Sequence, residues 1–124
     1  LPSAKSYGGG GTLFISVAAG TSIATFETML GEGTPIVRAM PNTPAAVGRG
    51  ITALIGNAHV DETKLAQAEA LLQAVGQTVR LEHEGQMDAV TGVSGSGPAY
   101  VFHMIETLAA AGVARWRIPA AGCR

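Results

Sequence analysis

The chain has 124 residues, 47% hydrophobic and only 14% charged, enough for one domain or one and a piece, with a real core. A formal net charge of −1 argues against an electrostatic nucleic-acid surface, and the small basic cluster Arg115-Trp116-Arg117 does not reverse that. The single cysteine, Cys123, excludes an internal disulfide framework and a cysteine-based metal site.

Residues Leu1 to Gly11 have neither the basic nor the apolar region of a signal peptide, and no run reaches the roughly 18 apolar residues of a membrane span. A soluble, cytoplasmic protein is expected. Gly8-Gly9-Gly10-Gly11 is followed by a strand rather than a helix, so it reads as a connection and not as a phosphate loop. Leu13 to Val17 is a continuous apolar run, as a buried parallel strand shows. Ala18-Ala19-Gly20 then carries only small side chains, leaving the backbone open to close approach. Thr21 or Ser22 caps the next helix, which puts Ile23, Phe26 and Met29-Leu30 on one face and closes at Gly31 or Gly33. A helix N-terminus with free N–H donors after such a loop suits a polar or anionic ligand group.

A second strand, Ile36 to Ala39, runs into Met40-Pro41-Asn42-Thr43-Pro44. The two prolines stop regular structure and hold both Met40 and Thr43 extended. Two readings fit this stiff loop: a ligand-facing wall at a strand end, or a rigid turn. Val47 to Gly50 is a turn and Ile51 to Ile55 another buried strand. Asp61 caps a helix with Leu65, Ala68, Leu72 and Val75 on one face, ended by Gly76, and Thr78 to Leu81 is a last short strand. Residues 13–81 therefore read βαββαβ.

After Leu81 the pattern turns helical. His83 to Val93 carries Met87, Val90 and Val93 on one stripe. Ser94-Gly95-Ser96-Gly97-Pro98 interrupts it, with Pro98 opening a further helix. Tyr100 to Ala111 is apolar around most of its circumference and expects partners on more than one side, so association of the chain is expected. Gly92-Val93-Ser94-Gly95-Ser96 meets the spacing of a hydrolase elbow, but no strand leads into it. The Gly/Ser stretch fits either a carboxylate- or phosphate-binding helix entry or a tight kink between helices. His59, His83 and His103 have no metal-ligand spacing. Glu82, Glu84 and Asp88 form an acidic helix start, favourable to the helix dipole. Arg38 suits a phosphate or an acidic neighbour equally. No side chain is placed as a nucleophile or general acid, so catalytic residues stay unassigned. That pattern suits hydride transfer, in which the protein mainly positions cofactor and substrate.

Three stretches together are specific. Ile15 to Ile23, Val37 to Pro44 with Gly50 to Leu54, and Met87 to Phe102 closely resemble pyrroline-5-carboxylate reductase over about residues 13–113. The resemblance implies the second half of a Rossmann-type dinucleotide-binding domain over 1–82, then the first helices of an all-α dimerisation domain over 83–113. The tail 114–124 departs from the family pattern. It implies NADPH or NADH as cofactor, lying along Ala18, Ala19 and Gly20 and against Met40, Pro41, Asn42, Thr43 and Pro44. Ser94, Gly95, Ser96 and Gly97 would approach the substrate, 1-pyrroline-5-carboxylate, whose C=N carbon takes the hydride to give L-proline. A homo-oligomer, dimer or dimer-based decamer, is implied, with no metal, nucleic acid or membrane. The family's G-x-G-x-x-G-like loop would precede Leu1 and its carboxylate-holding loop would follow Arg124. The expectation is thus a central fragment, inactive alone. Two other readings are a different Rossmann-type dehydrogenase with a helical dimerisation domain, and a non-catalytic dimerisation or nucleotide-binding module.

Overall fold

A mixed four-stranded sheet organises the chain, which a computed structural model describes over residues 2–116; the expectations for Arg117, Cys123 and the rest of the tail beyond Trp116 lie outside the described residues. In chain order the elements are β1 (Phe14–Ser16), α1 (Ile23–Leu30), β2 (Ile36–Met40), β3 (Gly50–Gly56), α2 (Glu62–Gln73), β4 (Gly76–Arg80), α3 (Gln86–Val90) and α4 (Gly97–Trp116). The strands lie in the order β1-β2-β3-β4. β1 pairs parallel to β2 with Ser16 opposite Arg38, β2 antiparallel to β3 with Met40 opposite Ala53, and β3 parallel to β4. The βαββαβ order is as expected. The short Pro41–Arg49 connection turns the chain straight back, and this makes the central pair antiparallel.

All five residues of β2 are buried, which requires cover on both faces of the sheet. Alternation supplies it. Val37 and Ala39 join Leu54, Ala68 and Leu72 under α2. On the other face Ile36 joins Phe26 and Leu30 of α1, and Met40 joins Ala53 and Met87 of α3. β1, at the sheet's edge, is shorter than the expected Leu13–Val17 and only half buried.

Several local expectations shift for physical reasons. Ser22, not Thr21, caps α1, accepting from Thr25 N at 3.2 Å, and Gly31 closes it; Met29 lies off the buried face. Thr43 is not extended. It opens a 3-10 turn, Thr43–Val47, with the extended residue at Asn42, because Pro44 is tolerated in a first helical turn where no N–H is needed. α2 stops at Gln73, so Val75 leaves the buried stripe and Gly76 begins β4 rather than ending the helix. Residues 91–95 do not break the helical path. They form a π turn, Thr91–Gly95, in which Ser96 N donates to Thr91 O at 2.9 Å. The extra residue per turn rotates Val93 out of the Met87–Val90 stripe and leaves it 77% exposed.

α4 presents Tyr100, Phe102, Met104, Ile105 and Leu108 to solvent, with no cover among the described residues. Those residues include no helix long and apolar enough to cross a membrane.

Asp61 caps α2 as expected, and its protonation state is measurable in the stability of the fold. Its Oδ2 pairs with Lys64 Nζ at 2.7 Å and its Oδ1 accepts from Lys64 N at 2.8 Å. The Lys64 side-chain bond, then the backbone bond, hold the carboxyl below its ordinary 3.8. A carboxylate with a lowered folded-state pKa contributes stability above its unfolded pKa and loses it as pH falls through the folded value. Asp61→Ala is therefore expected to melt earlier than the parent at pH 7, and the gap should close below about pH 3.8. The exposed position keeps the effect modest. Paired thermal melts across that range check it.

Candidate functional site

The parallel pairing of β1 with β2 brings the carboxyl ends of both strands to one edge of the sheet. Loop 17–22 leaves one end and Pro41–Pro44 the other. Ala18, Ala19 and Gly20 are exposed, and Gly20 has φ +75°, a left-handed conformation that favours glycine. A Cβ built on Gly20 would meet nothing within 4 Å, so its need is conformational and not one of space.

Proline ends the β2 ladder at residue 41, and the next side chain continues it. Asn42 Oδ1 accepts from Ile51 N at 3.0 Å, standing in for a strand carbonyl. The other end of the same amide reaches the helical region after β4, with Nδ2 donating to Ser94 Oγ at 3.4 Å. Gly95 lies against Met40, since a Cβ built on it would be 3.9 Å from Met40 Sδ. Met40 itself is buried against Ala53 and Met87. The structure thus brings Met40, Asn42, Ser94 and Gly95 together at one end of the sheet. Thr43 and Pro44 follow in the 3-10 turn, Thr43 exposed and Pro44 half-buried.

Part of the donor capacity of the two helix starts is used within the fold. At α1, Thr25 N is taken by Ser22 Oγ and Ile23 N by Glu84 Oε1 at 2.8 Å. At the Gly/Ser stretch, Ser96 N and Ser96 Oγ both donate to Thr91 O at 2.9 Å, while Ala99 N and Tyr100 N donate to Ser96 O. What the Gly/Ser stretch offers instead is half-buried hydroxyl and glycine surface beside Asn42.

Sequence reasoning assigned Glu84 to a helix dipole, and the structure gives it a sharper role. Its Oε1 accepts from Arg38 Nη1 at 2.7 Å as well as from Ile23 N. Arg38 is only 7% exposed in its side chain, so its charge is compensated within the fold rather than by a bound phosphate. The signal was present: a lone arginine inside an apolar strand requires a carboxylate partner.

The fold is an α/β sheet of Rossmann type running, from residue 84 on, into the opening helices of a dimerisation region, which a family model described as pyrroline-5-carboxylate reductase dimerisation matches over residues 84–121. The chain is 52% identical over 101 residues to a pyrroline-5-carboxylate reductase of Mycobacterium tuberculosis, covering 82% of this chain and 34% of the relative. It superposes on the 1-pyrroline-5-carboxylate reductase of Streptococcus pyogenes with a TM-score of 0.84 at 38% identity, over 90% of this chain and 42% of that one. It superposes equally on a Plasmodium falciparum pyrroline carboxylate reductase solved with NADP bound, with a TM-score of 0.83 at 35% identity over 90% of this chain and 44% of that one. The chain is thus similar to pyrroline-5-carboxylate reductases over most of its own length and spans about a third of the length of the curated relatives it matches.

Proposed function

We propose that a reductase carrying these residues transfers a hydride from NADPH or NADH to 1-pyrroline-5-carboxylate, giving L-proline, in the cytoplasm and as a homo-oligomer. The observation that carries the reading is the 52% identity over 101 residues to a protein of that name. In the same reading, 1–82 belong to the dinucleotide-binding domain, 83–113 begin the dimerisation domain, and 114–124 are an atypical tail. That division lies within two residues of the start of the dimerisation match.

The donor set fits a nicotinamide. Ala18, Ala19 and Gly20 leave the backbone accessible, and Met40 to Pro44 form a stiff, mainly apolar wall with one amide, Asn42, fixed by Ile51 N. The bound cofactor supplies the hydride. This chain's residues orient and exclude water: Met40 is locked by Met87 and Ala53, and Asn42 holds the Ser94 hydroxyl beside the loop. Ser94, Gly95, Ser96 and Gly97 are assigned to the substrate side, with the Ser94 hydroxyl as their available polar group. No residue is assigned a proton-transfer role. The exposed apolar surface of α4 supports a homo-oligomer.

The test is nicotinamide oxidation by a full-length reductase carrying this segment, supplied with 1-pyrroline-5-carboxylate and, separately, with other imines and 2-keto acids. The proposal expects turnover with the first. Asn42→Ala is expected to lower kcat/KM about tenfold, the size of one well-placed hydrogen bond. Preference for another imine or a keto acid would favour a different dehydrogenase, and no turnover with any would favour a non-catalytic module. A polypeptide of these 124 residues alone is expected to turn over little, since the phosphate and carboxylate loops implied by the resemblance are not among them.

A further inference from the structure

Glu84 is the first residue of the segment matched by the dimerisation model, yet its carboxylate is bonded entirely to the α/β half. One oxygen, Oε1, accepts from Ile23 N at 2.8 Å and from Arg38 Nη1 at 2.7 Å. Ile23 opens α1 directly after loop 17–22. Arg38 lies two residues before Met40 on β2. Three residues beyond Glu84, Met87 is fully buried against Met40, and the π turn that follows delivers Ser94 to Asn42. A single carboxylate oxygen therefore joins the start of α1, just after the small-residue loop, to the strand that leads into the proline loop, from the segment that leads into the Gly/Ser turn. Among the described residues, no other hydrogen bond ties loop 17–22 or the first turn of α1 to the region after residue 82.

We propose that Glu84 is a positioning residue, a latch across the domain boundary whose reach sets the spacing of the two strand-end loops. The proposal rests on the reductase reading for its kinetic consequence, but not for its structural one. Hydride transfer needs donor and acceptor carbons held in a narrow near-attack range, so a small displacement of one wall lowers turnover without abolishing binding. Reach and charge are separable here. Glu84→Asp keeps the charge and shortens the side chain by one methylene. Glu84→Gln keeps the length and the accepting oxygen and removes the charge.

The experiment compares both variants with the parent in a full-length reductase carrying this segment, reading kcat, KM, melting and amide hydrogen exchange at Ile23. Expected for Glu84→Asp is a fall of about tenfold in kcat with KM within about threefold, and faster exchange at Ile23. Glu84→Gln leaves the buried Arg38 without its counter-charge and is expected to melt earlier, but in its folded form to keep kcat within about threefold and Ile23 protected. Arg38→Lys, which retains charge but loses the guanidinium's fixed reach, repeats the test from the other partner and is expected to match Glu84→Asp. The reverse order, with Asp near the parent and Gln impaired, means that only charge matters and overturns the proposal. So does parent-like exchange at Ile23 in both Glu84→Asp and Arg38→Lys. If the parent itself does not reduce 1-pyrroline-5-carboxylate, the reductase reading fails, and the exchange order at Ile23 still decides the latch.

Discussion

Replacing Gly76 by alanine is expected to destabilise the fold by about 4 kcal/mol or more, a large share of the about 5–15 kcal/mol that holds a typical domain folded. Gly76 sits at φ +147°, a backbone conformation that residues with a Cβ rarely adopt, and that strain alone costs about 1–3 kcal/mol. Space adds to it. Gly76 pairs with Gly50 at the start of the β3–β4 ladder, and a Cβ there would overlap Gly50 O and lie within 2.6 Å of Gly50 C and N. All three atoms are backbone, so no side chain can rotate away. Gly50 cannot retreat either, because its own missing Cβ leaves room for Ala45, 2.8 Å from where a Cβ would stand. Urea unfolding of Gly76→Ala beside Gly48→Ala checks this. Gly48 has φ +70° but open space around it, so it should show the conformational part alone, about 1–2 kcal/mol. Equal losses at the two sites would show that the crowding at Gly76 relaxes.

Asn57→Ala is expected to cost about 3 kcal/mol, although the residue lies in a loop and touches no assigned pocket residue. Its Oδ1 accepts from Ile36 N at 3.1 Å and His59 N at 3.2 Å, and its Nδ2 donates to Thr34 O at 2.9 Å and Glu27 Oε1 at 2.8 Å. Ile36 and Thr34 are fully buried, so alanine leaves an orphaned donor and an orphaned acceptor where water does not reach. Each such group costs about 1–3 kcal/mol. Asn57→Asp is expected to be at least as damaging: it loses both donors and sets a second carboxylate against Glu27. A shift in the urea midpoint without a change in slope is the result expected for Asn57→Ala. A loss below about 1 kcal/mol would mean that water fills the site.

Much of the architecture was legible in local pattern. The Asp61 cap, the Ile23–Phe26–Leu30 face and the Leu65–Ala68–Leu72 stripe all formed, because capping chemistry and helical periodicity act within a few residues. The Arg38–Glu84 pair was left open between two partners, since 46 residues separate the two side chains and no local rule links them. At the π turn the glycines and serines signal a break in the local pattern. What the local signal omits is that Thr91 O is free to accept from Ser96 N and Oγ, which carries the helical path through.

By itself the sequence determined the order of elements, the stiff Met40–Pro44 loop, the small-residue loop at Ala18–Gly20 and the motifs that mark the family. All of these depend on backbone restriction, side-chain size or periodicity, properties residues carry with them. The tertiary structure alone decided that β3 returns antiparallel to β2, that Asn42 meets Ser94, and that the open N–H of Ile23 is closed by Glu84. These depend on which buried polar groups find partners once distant segments pack. The donor at a helix start was readable from sequence, but its acceptor, 61 residues away, was set only when α3 docked on the sheet and carried Glu84 to it.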